Sequence, residues 1–141
     1  MSMETTRTVM TNYLKALELR APVAAFFTPD VKFVTMGGQT IQGREEVAEF
    51  IRWLHQDAFD ARPEFKATLI AGDQATLEAD FVGRHTAEFF GVPASQHNVR
   101  VPYAVVYDLR DGLIAELRFY MPMNVLMEQI TTSGVPALAA A

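Results

Sequence analysis

A lone histidine on an otherwise apolar strand face is the sharpest chemical signal in this chain. Side chains alternate along a strand, so Leu77, Ala79, Phe81, Gly83 and His85 share one face, with Glu78, Asp80, Val82 and Arg84 on the other. The apolar set is expected to face inward. An imidazole there, with an unperturbed pKa of ~6.5, suits proton transfer near neutral pH. The alternative is a structural histidine bonded to a backbone carbonyl or to Glu88. Tyr13 lies on a stripe with Val9, Met10, Leu14 and Leu17 at helical spacing. A buried phenol can donate a hydrogen bond to a carbonyl oxygen as negative charge develops on it. The alternative is a core aromatic whose hydroxyl reaches water. Tyr103 falls on an apolar face with Val99, Val101, Val105 and Tyr107, where ordinary packing competes with a site role. On the last strand Ala115, Leu117, Phe119 and Met121 are expected inward. Trp53, Phe81, Val101, Phe119 and Met121 are the expected apolar, substrate-binding wall. His97 is expected in solvent, and His55, late in a helix, has no evident partner.

The rest of the composition narrows the chemistry. The chain has 141 residues, no Cys and a net charge of −5. That length fits one domain, placed at residues 1–130, with 131–141 as a flexible tail. Without Cys there is no disulfide, thiolate zinc site or thiol nucleophile. The basic residues are scattered and the balance is acidic, which argues against nucleic acid as a partner. No run approaches the ~18 apolar residues of a membrane helix, and the start of the chain has no apolar signal core. A cytoplasmic location is the expectation. The three histidines lack metal-ligand spacing, and phosphate-loop, nucleophile-elbow and dinucleotide fingerprints are absent, so a cofactor-free and metal-free site is expected.

The elements that must position these groups follow from periodicity. A first helix carries the Tyr13 stripe. Val23 to Phe27 reads as a second, short helix stopped by Pro29. Val31 to Thr35 reads as a strand and Gly37-Gly38 as a turn. A further helix follows Gly43, with Val47, Phe50, Ile51 and Leu54 as its buried stripe. Glu64–Ala71 and Ala75–Thr86 read as a hairpin about Gly72-Asp73. Asn98–Leu109 and Leu113–Met121 form another about Asp111-Gly112, and Met123–Ile130 is a closing helix. Helices first and an antiparallel sheet after make an α+β layout.

With that order in place, Ala25-Phe26-Phe27-Thr28-Pro29-Asp30-Val31-Lys32-Phe33 and Ile41-Gln42-Gly43-Arg44-Glu45-Glu46-Val47 resemble the first half of nuclear transport factor 2-like proteins. Gly83-Arg84-His85-Thr86-Ala87-Glu88-Phe89-Phe90-Gly91-Val92-Pro93 resembles the signature of SnoaL-like polyketide cyclases within that superfamily, and Asp111 to Glu116 resembles their last hairpin. The resemblance implies a cone-shaped barrel, with N-terminal helices packed against a curved, largely antiparallel sheet around a pocket. It also implies a homodimer through the outer sheet face. It places Tyr13 at the oxyanion-hole tyrosine of ketosteroid isomerases, Tyr103 at their protonated aspartate, and His85 at a histidine of the cyclase motif.

Two departures stand out. The isomerase base, an aspartate on the first strand, corresponds to Thr35. The cyclase aspartate before the closing helix corresponds to Pro122, and no acid lies between Glu116 and Glu128. Asp80 would be a substitute only if a bulge turned it inward. The expected function is therefore a cofactor-independent acid/base enzyme of isomerase, cyclase or dehydratase type. Its substrate would be a small, largely apolar or aromatic carbonyl compound of polyketide-like character. His85 would act as acid/base and Tyr13 and Tyr103 as oxyanion donors. Dehydratases of the superfamily pair a histidine with tyrosines, which suits elimination. The alternative is a non-catalytic small-molecule-binding or accessory dimeric protein of the same fold.

Overall fold

Ser2 opens the first helix as an N-cap, its hydroxyl accepting from the Thr5 amide at 3.0 Å. A computed structural model describes residues 2–131; the expectation of a flexible tail falls, apart from Thr131, outside the described residues. Helix α1 (Met3–Glu18) buries Thr6, Met10, Tyr13, Leu14 and Leu17. The Thr6 hydroxyl donates to the Gly72 carbonyl at 2.7 Å, which ties α1 to a hairpin turn.

Among the described residues, three α-helices and six strands are assembled as α+β, as the sequence predicts. The strands are β1 (Phe27–Val34), β2 (Thr40–Gln42), β3 (Phe59–Ala71), β4 (Gln74–His85), β5 (Asn98–Arg110) and β6 (Leu113–Tyr120). They form one open sheet in the order β2-β1-β6-β5-β4-β3, antiparallel except for β1 beside β6. Helix α2 (Arg44–Arg52) runs into a π-helical turn (Trp53–Ala58), and α3 (Met123–Thr131) closes the chain.

Strands β4 and β5 alternate as expected. Leu77, Ala79, Phe81 and His85 are buried, as are Val99, Val101, Tyr103, Val105 and Tyr107. On β6 it needs correction. The register shifts between Asp108 and Leu109, so Ile114 pairs with Leu109 and Glu116 with Asp108. Ala115 is the extra residue, and Ile114 takes the inward place expected for it.

The expected short helix at Val23–Phe27 is only a 3-10 turn (Ala24–Phe26). Pro29 does not stop it; β1 starts at Phe27 and passes through Pro29, where the ladder to β6 is interrupted between Phe27 and Lys32. Strand β3 begins at Phe59 rather than Glu64. Pro63 is tolerated because β3 is an edge strand with no neighbour on its far side. The three-residue β2 is too short to be visible as an alternation.

On the polar sheet face, Asp80 is nearly buried and held by Lys66 (2.9 Å) and Arg100 (3.1 Å). Arg100 also meets Glu64 at 2.9 Å, and Arg118 joins Asp108 and Glu116. No bulge turns Asp80 inward, so it supplies no pocket carboxylate. Its pairing offsets the burial that opposes its charge and leaves its pKa below the usual value.

Candidate functional site

Between α2, α3 and the sheet lies an apolar vestibule of about 310 Å³. Thr35, Met36, Gly37 and Gln39 from the end of β1 and its turn form one side. Met121, Met123 and Leu126 from the end of β6 and α3 form another, and Phe89 and Phe90 a third. Phe50, Leu54 and Phe119 line its inner wall and also line a narrower chamber of about 30 Å³ deeper in the cone. Tyr13, His55, Phe81, Tyr103 and Tyr107 are among the side chains around that chamber. None of the side chains lining the vestibule is titratable.

The chamber brings together three phenols and one imidazole. Tyr13 and Tyr107 stand with ring centroids 5.8 Å apart, edge to face. Burial is the main force raising all three phenols above the ordinary tyrosine value. The field of Tyr103 adds to it at Tyr13, and that of Asp80 adds to it at Tyr103. The phenols therefore keep their protons at neutral pH and can serve as donors, not as bases.

His55 is the titratable group that sequence reasoning left without a role. The π turn presents it between Leu54, on the buried stripe, and Gln56, in solvent. Its Nδ1 lies 2.8 Å from the Ile51 carbonyl. A carbonyl only accepts, so Nδ1 carries the proton and Nε2 is left with its lone pair. That Nε2 is buried and has no partner. Burial lowers the His55 pKa below the usual histidine value, and the field of Arg20 adds to it; the bond to Ile51 opposes them. The ring packs edge to face against Phe81 at 5.4 Å. It also borders an open groove of about 500 Å³ between α1 and α2, whose rim carries Arg20, Glu45, Glu49 and Arg52.

The other expected site residues divide. Tyr13, Tyr103, Phe81 and Phe119 line the chamber, and Phe119 and Met121 the vestibule. Val101 is fully buried and lines neither. Trp53 lines neither cavity. It stacks on Phe89 with centroids 5.8 Å apart, and borders an outer hollow with Ile41 and Glu46.

His85 is 0% exposed and also lines neither cavity. Its partner is Ser95, not Glu88: the Ser95 amide donates to Nδ1 at 3.1 Å, and the Ser95 hydroxyl lies 2.9 Å from the same atom. Its proton therefore belongs on Nε2. Burial is the main cause that lowers its pKa. His97 is not simply in solvent. It is half-buried, and its Nδ1 donates to the Gln129 carbonyl at 3.1 Å. Thr35 and Pro122, at the two expected carboxylate positions, sit at the vestibule rim and directly before α3.

Among the described residues no cluster of three or more His, Asp or Glu is arranged to hold a metal ion. No helix among them is long and apolar enough to cross a membrane.

Comparison with known proteins fits this architecture. A family model described as SnoaL-like polyketide cyclase matches residues 7–130. No curated protein matches the chain. The crystal structure of a protein from Jannaschia sp. CCS1, provisionally assigned as a SnoaL-like polyketide cyclase, superposes with a TM-score of 0.82 at 22% identity, covering 94% of both chains. AclR from Streptomyces galilaeus, provisionally assigned as a hydroxylase, superposes with a TM-score of 0.78 at 18% identity, covering 97% of this chain and 88% of its own. A de novo designed protein with a curved β-sheet is also similar, with a TM-score of 0.66 at 24% identity over 92% of this chain and 95% of its own. Likeness at this level shows the fold alone, so activity must be argued from the site. By the match over residues 7–130, the chain belongs to the SnoaL-like polyketide cyclase family.

Proposed function

We propose that this protein is a cofactor-independent acid/base enzyme acting on a small, uncharged carbonyl compound of about two rings. The carrying observation is the unpartnered, proton-free Nε2 of His55, a residue that lines the same small chamber as three protonated phenols. The vestibule takes the apolar body of the substrate. Its volume of about 310 Å³ is roughly twice that of a ~150 Å³ cavity known to hold one benzene ring. The chamber, about the volume share of one water, takes the carbonyl group. His55 Nε2 removes a proton from the carbon next to the carbonyl. The electron pair moves onto oxygen, where Tyr103 and Tyr13 donate hydrogen bonds to the developing enolate. The proton then returns from His55, at another carbon for an isomerisation or to a departing hydroxyl for loss of water. This reading places the proton transfer at His55 rather than His85, and keeps Tyr13 and Tyr103 as donors.

A second reading is a binding protein without turnover. It is favoured by the absence of titratable side chains around the vestibule and by Thr35 and Pro122 at the two positions where the family resemblance implies carboxylates. One experiment separates the two. The protein is incubated with 1-tetralone in deuterium oxide, and the α-protons are followed by NMR. An enzyme with a positioned base accelerates their exchange over buffer, and 1-naphthol, a planar enol mimic, inhibits it. Binding of 1-naphthol without acceleration of exchange would establish the binding reading instead.

A further inference from the structure

His85 and Ser95 stand outside both cavities, yet they join the two ends of the segment that walls the vestibule. After β4 the chain leaves the sheet at Thr86 and returns at Asn98. Between these points Phe89 and Val92 pair across a tight turn, with Phe90 and Gly91 both at positive φ. Phe89 is buried against Phe59 (centroids 5.1 Å) and Trp53 (5.8 Å), and Phe90 packs on Phe89 at 4.5 Å. These two rings are the loop's contribution to the vestibule.

The loop's ends are held by main-chain bonds from the His85 amide to the His97 carbonyl (3.0 Å) and from the Gln96 amide to the His85 carbonyl (2.9 Å). The buried imidazole adds the side-chain part. Its Nδ1 accepts the Ser95 amide, and the Ser95 hydroxyl in turn accepts the His97 amide at 3.2 Å. His97 then reaches the Gln129 carbonyl on α3, the helix that supplies Met123 and Leu126 to the same vestibule.

We infer that His85 is a positioning residue. Its Nδ1 lone pair clasps Ser95 and so fixes loop 86–97, setting where Phe89 and Phe90 close the vestibule. This rests on reading the vestibule as the substrate site. It assigns His85 a task that needs an acceptor atom and no proton transfer. The two roles separate by substitution, because the amide oxygen of asparagine can occupy the place of Nδ1 whereas leucine offers no acceptor.

The protein has one tryptophan, and it stacks on Phe89, so the loop carries its own reporter. The experiment compares wild type, Ser95→Ala, His85→Asn and His85→Leu by acrylamide quenching of Trp53 and by 1-naphthol affinity, with far-UV circular dichroism as the fold control. His85→Leu is expected to raise Trp53 quenching about twofold and weaken 1-naphthol about tenfold, the size of one lost buried hydrogen bond. Ser95→Ala, which removes only a hydroxyl from a half-buried loop residue and leaves every core side chain in place, is expected to move both readouts in the same direction by less, and decides the matter if His85→Leu does not fold. His85→Asn is expected to stay near wild type in both. Unchanged quenching in both Ser95→Ala and a folded His85→Leu, or a His85→Asn protein as altered as His85→Leu, would overturn the clasp. Failure of wild type to bind 1-naphthol would count against the vestibule as substrate site, while Trp53 quenching would still judge the clasp.

Discussion

Replacing His55 with glutamine is expected to slow α-proton exchange of 1-tetralone about 10²–10⁴-fold, the usual contribution of a positioned base. KM should change little, because the apolar body of the substrate rests on Phe50, Leu54, Phe119 and the methionines rather than on the imidazole. The pH profile follows from the same residue. His55 must be neutral to accept a proton, and burial lowers its pKa from the usual ~6.5. Activity should therefore persist below pH 6.5 and fall only on the more acidic side, as the imidazole becomes charged. The glutamine variant should lose that acid limb. Tyr103→Phe should cost less, about 10-fold to 100-fold, since Tyr13 can still donate to the enolate. Steady-state rates between pH 4.5 and 8 check all three points. An unchanged rate in His55→Gln would remove the histidine from the chemistry.

The second large effect is structural. Gly83→Ala is expected to destabilise the protein by at least about 3 kcal/mol, seen as a fall in melting temperature of roughly 10 °C or more. A Cβ on Gly83 would sit 2.2 Å from the Asp60 carbonyl oxygen and 2.5 Å from the Ala61 Cα. Both are backbone atoms of the paired strand, where Ala61 lies directly opposite Gly83. No side-chain rotation relieves such a contact, so β3 must move away from β4. That shift would reach His85, two residues on, and Phe59, which pairs with it. Thermal melts of the variant beside Val82→Ala on the same strand check this; equal melting temperatures would show that the strands are not so closely opposed.

Strand faces were legible in the sequence because β4 and β5 are long and regular. One apolar anchor fixed Phe81, His85, Tyr103 and Tyr107 together. Tyr107 is visible in the same alternation as Tyr103, and only its edge-to-face place beside Tyr13 needed the fold. The β6 bulge at Ala115 was not legible, since an inserted residue leaves no compositional mark. His55 was hidden for a different reason. It follows a stripe of Val47, Ile51 and Leu54 that reads as an ordinary α-helix, and the switch to a π turn at Trp53 leaves no mark in that spacing. His85 was found by the right rule, an imidazole among apolar neighbours. Alternation tells which face a side chain takes, not how far along that face a cavity extends. The vestibule rings Phe89 and Phe90 sit in a loop whose course no periodicity describes.

The central claim is that His55 holds an unprotonated Nε2 where a substrate carbonyl compound binds. The most direct measurement is nitrogen NMR of the protein labelled with ¹⁵N at its three histidines, titrated with 1-naphthol. His55 is expected as the Nδ1-protonated tautomer, distinct from Nε2-protonated His85, with the His55 Nε2 resonance moving as the naphthol hydroxyl approaches it. An Nε2-protonated His55, or a His55 signal indifferent to saturating naphthol, would contradict it.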